Sequence, residues 1–165
     1  QVLGHVDADT RLLYTSHTRD NKKNPLDYST KAALIEACIE EHNINVAFVD
    51  TEARTFIDVV VDVYNKGYNN LIIVAGSDRL EELVDLAKKY NDVPNRAGEA
   101  YHFDNIEGRS AGQRDPDSEN VEGISGTKMR QFVKDNDFEA FSKYCPVTDK
   151  NIVEDVWKEL RAILA

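Results

Sequence analysis

The sequence predicts the α/β class: a parallel, doubly wound sheet with extra helices at the carboxyl end. Three observations carry this expectation. Short apolar runs bounded by polar turn residues alternate with stretches whose apolar residues recur at helical spacing. The runs are almost continuously apolar, as strands buried on both faces should be. Strand-helix-strand repetition also calls for right-handed crossovers between parallel neighbours.

Arg11 to Ser16 reads as a buried strand ended by a polar cluster. His17 to Leu26 is a loop, because Pro25 keeps its predecessor out of helical geometry. Asp27 or Ser29 can cap a helix from Tyr28 to His42, on which Ala33, Leu34, Ala37, Cys38 and Ile39 form one stripe. Val46 to Asp50 is a second buried strand. Thr55 to Lys66 is a helix closed by Gly67 in the left-handed conformation. Leu71 to Ala75 is the clearest strand, and it runs into Gly76-Ser77-Asp78, where Asp78 can cap a helix carrying Leu80, Leu83, Val84, Leu86 and Ala87.

Ala100 to Asp104 alternates apolar and polar residues and is expected as a fourth strand. Asn105 to Gly123 is polar and aperiodic, which suggests a lid over a site. A helix follows from Ser125 to Lys134, then a short one through Phe138, Phe141 and Tyr144. Asp149 caps the last helix, with Ile152, Val153, Val156, Leu160 and Ile163 on one face and Trp157 beside it. Residues 1–137 are expected as one α/β domain and residues 138–165 as a helical extension packed on it, an appended pair rather than a second core.

With 165 residues and 41% apolar content, the chain is long enough for a real core. No apolar run is long enough for a transmembrane helix. The net charge of −10 argues against general binding to nucleic acid or to anionic membranes. Cys38 and Cys145 lack metal-ligand spacing and read as buried thiols in a reducing compartment, hence a cytoplasmic protein. No signal-peptide pattern opens the sequence, which starts at Gln1 without a methionine.

Two features depart from this acidic background. His17, Arg19, Lys22 and Lys23 make the loop after the first strand the most basic segment. Ile124-Ser125-Gly126-Thr127-Lys128-Met129-Arg130 then gathers hydroxyls, a glycine and two cations where a helical pattern begins. Unpaired backbone N–H groups and positive charge at a helix start suit phosphate, although Ser-x-Thr is also an ordinary N-cap. All carboxyl ends of a parallel sheet share one edge. The basic loop, the Gly76-Ser77-Asp78 turn and the helix start at Ser125 are therefore expected around one crevice that takes a phosphate-rich ligand.

Ile124 to Arg130 resembles the Ile-Ser-Ser-Thr-x-x-Arg motif of the HxGH nucleotidyltransferases, the cytidylyltransferase-like superfamily. Tyr14-Thr15-Ser16, the loop Lys22-Lys23-Asn24-Pro25-Leu26 and the strand into Gly76-Ser77-Asp78-Arg79 are similar to phage-encoded members in particular. The resemblance implies a Rossmann-like form of the sheet. It also implies that Ser125, Thr127 and Arg130 hold the outer phosphates of a nucleoside triphosphate, with Lys22 or Lys23 also touching phosphate. Ser16, Gly126, Gly76, Ser77 and Asp78 fall at the matching nucleotide-binding segments, and Mg²⁺ is the implied cofactor. Val2-Leu3-Gly4-His5 matches only the end of the HxGH motif, so His5 is the candidate catalytic histidine beside Lys22 and Arg130, while valine replaces the first histidine.

The leading functional expectation is transfer of a nucleotidyl group from a nucleoside triphosphate to a small phosphorylated substrate, with release of pyrophosphate. The alternative is a non-catalytic module of the same kind that serves as a phage virion or binding protein, acting in host cytoplasm or virion, as a homo-oligomer or within a virion assembly. A flavin or redox domain is a weaker third reading, since it would want its phosphate loop after the first strand.

Overall fold

The computed structural model describes residues 2–112 and 126–164, the side chain of Val2 excepted. In chain order the elements are α1 (Val2–His5), β1 (Leu12–Leu13), α2 (Tyr28–Glu41), β2 (Ala47–Phe48), α3 (Phe56–Asn65), β3 (Asn70–Ala75), α4 (Leu80–Lys89), β4 (Asn105–Ser110), α5 (Gly126–Lys134), α6 (Phe138–Tyr144) and α7 (Lys150–Leu164). The chain divides into two compact units: Gln1–Asp9 with Thr51–Gln113, and Thr10–Asp50 with Arg114–Ala165. Each holds a two-stranded parallel sheet, so the protein is a mixed α/β chain with two small parallel sheets.

In the first unit β3 and β4 run in register from Asn70 opposite Asn105 to Ala75 opposite Ser110, joined by α4 as crossover. Val60, Ile73, Ala87, Tyr101, Phe103 and Ile106 form the buried core. Helix α3 starts in a capping box: the Thr55 hydroxyl accepts from the Asp58 N–H at 3.2 Å, and the Asp58 carboxylate accepts from the Thr55 N–H at 3.0 Å. Gly67 follows it at φ +96°, the expected left-handed stop. Gly108 is required for close packing, since a Cβ there would stand 2.8 Å from Val84 Cγ2 and 3.0 Å from Leu80 Cδ1.

Two expectations for this unit are corrected. Ala100 to Asp104 places Tyr101 and Phe103 inside, but it is not a ladder strand. Its backbone is satisfied otherwise: the Asn91 carboxamide accepts from the Phe103 N–H at 2.8 Å and donates to the Phe103 carbonyl at 3.1 Å. The fourth strand is instead Asn105–Ser110, within the segment expected as a lid; of that lid, residues 113–123 lie outside the described residues. Asp78 does not cap α4. The N-cap is Arg79, without a side-chain bond, because the Gly76 carbonyl accepts from the Arg79 and Leu80 N–H groups at 3.0 and 3.1 Å in a tight turn.

In the second unit β1 and β2 pair over Leu12 with Ala47 and Leu13 with Phe48, shorter than the runs that predicted them. The Asp27 carboxylate caps α2 by accepting from the Thr30 N–H at 2.8 Å. Glu41, the last residue of α2, accepts from the N–H groups of Thr148 at 2.7 Å and Asp149 at 3.0 Å. Asp149 in turn caps α7 by accepting from the N–H groups of Asn151 and Ile152 at 2.9 and 3.3 Å. The buried core is Val133, Phe141, Val147, Val153, Val156 and Leu160, against which Leu26, Leu34, Ala37 and Cys38 pack. The helices from Phe138 onward, expected as an appended pair, therefore build most of a core. Among the described residues no helix is long and apolar enough to cross a membrane.

Candidate functional site

The basic loop after β1 is built by its own side chains. Asp20 makes the central contact: its Oδ1 accepts from the backbone N–H groups of Lys22 and Lys23, both at 2.7 Å, and its Oδ2 accepts from the Asn24 side-chain amide at 3.0 Å. The Asp20 N–H closes the turn on the Asn24 carbonyl at 2.8 Å. The Asn24 amide, then the Lys23 and Lys22 N–H groups, hold the Asp20 carboxyl well below the usual carboxylate range.

The loop is also tied to the helices. Lys31 of α2 donates its ammonium to the Ser16 carbonyl at 2.5 Å and the Thr18 carbonyl at 3.0 Å, with the Ser16 hydroxyl at 3.4 Å. Partial burial lowers its pKa, against the raising effect of Asp27. Arg19 donates to the Pro25 carbonyl at 3.3 Å and pairs with Glu159 of α7 at 3.7 Å. Glu159 also accepts from the Asp27 N–H at 2.7 Å and the Thr30 hydroxyl at 2.5 Å. His17 stacks on Tyr28 with ring centroids 3.8 Å apart.

Of the four basic residues in this loop, His17 and Arg19 are thus used in its construction. Lys22 and Lys23 are exposed, and neither has a carboxylate within ion-pair distance among the described residues. Two adjacent lysines without acidic partners among the described residues are notable in a chain of net charge −10.

Arg130 joins this loop to α5. Its guanidinium donates to the Lys23 carbonyl at 3.2 Å and to the Thr127 hydroxyl at 3.1 Å. It folds back over the first turn, where a Cβ on residue 126 would stand 3.2 Å from Nη1; Gly126 leaves that space open. A guanidinium has five N–H donors, so Arg130 keeps donors for an oxyanion after these two bonds. The structure therefore brings Lys22, Lys23, Gly126, Thr127 and Arg130 into one unit, with Ser16 held by Lys31 in the same loop system. Ser125 lies outside the described residues.

The other candidates belong to the first unit. Gly76, Ser77 and Asp78 form the turn after β3, with an Asp78 carboxylate oxygen against Gly76 and the Ser77 N–H donating to the Gly112 carbonyl at 3.4 Å. His5, the last residue of α1, is exposed. It lines an open groove of about 720 Å³ with Asp7, Ile72, Glu107, Arg109 and Ser110. Arg109 is occupied there by Glu107 at 3.1 Å and by the Gly108 carbonyl at 3.0 Å.

Asp20, Lys31 and Glu159 were not marked by the sequence reading. The signal for Asp20 is the Asp-x-x-x-Asn-Pro spacing of a side-chain-closed turn. Lys31 and Glu159 carry no local signal, because their partners come from other elements. Comparison with protein-family models, with curated proteins and with solved structures finds no match.

Proposed function

We propose that this chain is a nucleotidyltransferase-like protein that moves a nucleotidyl group from a nucleoside triphosphate to a small phosphorylated substrate and releases pyrophosphate. The observation that supports this most is the link from the Lys23 carbonyl through Arg130 to Thr127, which sets a guanidinium, a helix N-terminus and two lysines without acidic partners among the described residues in one unit. Phosphate oxygens are the ligands for such donors. The finer architecture implied by the resemblance, a Rossmann-like doubly wound sheet, belongs to the same proposal. Its support is that each small sheet is parallel and bridged by a helical crossover.

In the reaction, an acceptor phosphate oxygen attacks the α-phosphorus in line. The bond from that phosphorus to the bridging oxygen breaks, and pyrophosphate leaves with the electron pair. Such transfer depends on positioning and on charge stabilisation. Arg130 and Lys22 or Lys23 meet the outer phosphates, while Thr127 and the first N–H groups of α5 orient them. Among the described residues there is no group of three His, Cys, Asp or Glu side chains that could hold a metal. Mg²⁺ bound mainly through substrate phosphates needs no such cage.

Arg130→Ala should abolish binding of a Mg²⁺–nucleoside triphosphate in calorimetry, and unchanged affinity would sink the site assignment. The reading of a non-catalytic binding or virion module rests on Val2-Leu3-Gly4-His5, which lacks the first histidine of the motif. Pyrophosphate release in the presence of a panel of phosphorylated acceptors would exclude that reading.

A further inference from the structure

We propose that Asp20 is the positioning residue of the phosphate site, acting through the Lys23 peptide on Arg130. This rests on the reading of Arg130 and the lysine pair as the phosphate-binding groups. The chain of contacts is continuous. The Asp20 carboxylate takes the Lys22 and Lys23 N–H groups at 2.7 Å, and the far side of the same segment, the Lys23 carbonyl, takes the Arg130 guanidinium at 3.2 Å. Arg130 then reaches the Thr127 hydroxyl at 3.1 Å. Removing the carboxylate frees the Lys22–Lys23 backbone, and with it the carbonyl that orients the guanidinium.

A carboxylate beside two lysines is otherwise a liability for an anion site, since its charge opposes the ligand. Its three hydrogen bonds to the loop give it a different use. An ionised acceptor of two backbone N–H groups closes a tight turn more firmly than a neutral one, and it stays ionised because those donors hold it so. The two roles predict opposite signs. If charge alone matters, losing it tightens anion binding; if position matters, losing the turn weakens it.

Asp20→Ala removes both turn and charge. Asp20→Asn removes the charge but keeps an oxygen that can accept from the same N–H groups, as asparagine does in such turns. The test is calorimetric binding of inorganic tripolyphosphate to the full chain, with hydrogen exchange of the Lys22 and Lys23 amides measured beside it. Asp20→Ala should bind about tenfold more weakly, the order of one lost hydrogen bond to a charged group. Asp20→Asn should bind at least as tightly as the unsubstituted chain. The two amides should lose protection in the first variant and keep it in the second. Equal or tighter binding by Asp20→Ala, or equal losses in both variants, overturns the role given to Asp20. If Arg130→Ala loses binding while Asp20→Ala does not, only this role fails. If the unsubstituted chain does not bind tripolyphosphate, the phosphate site fails and the role falls with it.

Discussion

Glu159→Ala should destabilise the second unit by about 1.5–3 kcal/mol. The carboxylate accepts from the Asp27 N–H at 2.7 Å and the Thr30 hydroxyl at 2.5 Å, and its side chain is 18% exposed. Hydrogen bonds to a charged group contribute roughly 1.5–3 kcal/mol each, so the gross loss is about 3–6 kcal/mol. Both donors are only part-buried, and water recovers about half of that for them. The Arg19 contact is long at 3.7 Å and half exposed on the arginine side, so it adds at most a few tenths of a kcal/mol. Trp157 is the only tryptophan in the sequence and packs on Phe138 and Phe141 at 5.2 Å, so urea unfolding followed by its fluorescence reports on this unit. Glu159→Gln can still accept one bond and should cost about 1 kcal/mol. A cycle with Thr30→Val isolates the hydroxyl pair, with an expected coupling of about 1–1.5 kcal/mol. Additivity within about 0.3 kcal/mol, or a Glu159→Ala loss below about 0.5 kcal/mol, would refute the claim that this carboxylate fastens α7 to the start of α2.

Gly108→Ala should lower the stability of the first unit by about 1–3 kcal/mol, because the new methyl meets Val84 and Leu80; thermal unfolding at an unchanged midpoint would contradict the packing described for α4 on β4. His102 contacts Asp92 at 2.7 Å and Asp104 at 2.9 Å, and these bonds, Asp104 first, raise its pKa above the ordinary histidine value. A raised folded-state value means that the stabilisation is full below the unfolded value near 6.5 and is lost as pH rises through the folded one. Proton NMR titration should show the raised pKa in the native chain and its return towards the ordinary value in Asp92→Asn/Asp104→Asn; a titration that does not move would remove the clamp.

The longer helices were legible from periodicity, and Asp27 and Asp149, read as caps, do accept from the helix starts that follow them, whereas Asp78, read the same way, does not. Leu71 to Ala75 was legible as a strand from its unbroken apolar run. The fourth strand was misplaced because Asn-Ile-Glu-Gly-Arg-Ser has neither alternation nor β-branched density beyond Ile106. What makes it a strand is its pairing with β3 and the close approach of α4 over Gly108, and both are tertiary. For the candidate site, composition could mark Lys22, Lys23, Thr127 and Arg130 as residues suited to phosphate. It could not show that Arg19 and His17 are spent on the loop itself, nor that a carboxylate organises the lysine pair. Those assignments depend on which oxygen each donor reaches.

The Asn91 carboxamide supplies to Phe103 the donor and the acceptor that a neighbouring strand would supply. A side chain can do this for one residue only, and it presents no further row of backbone groups behind it. The contact therefore closes the Phe103 peptide groups to any second chain that might pair with them, and the pairing it makes cannot propagate. With Phe103 only 2% exposed, a single amide thus satisfies both backbone groups of a buried aromatic residue without a neighbouring strand.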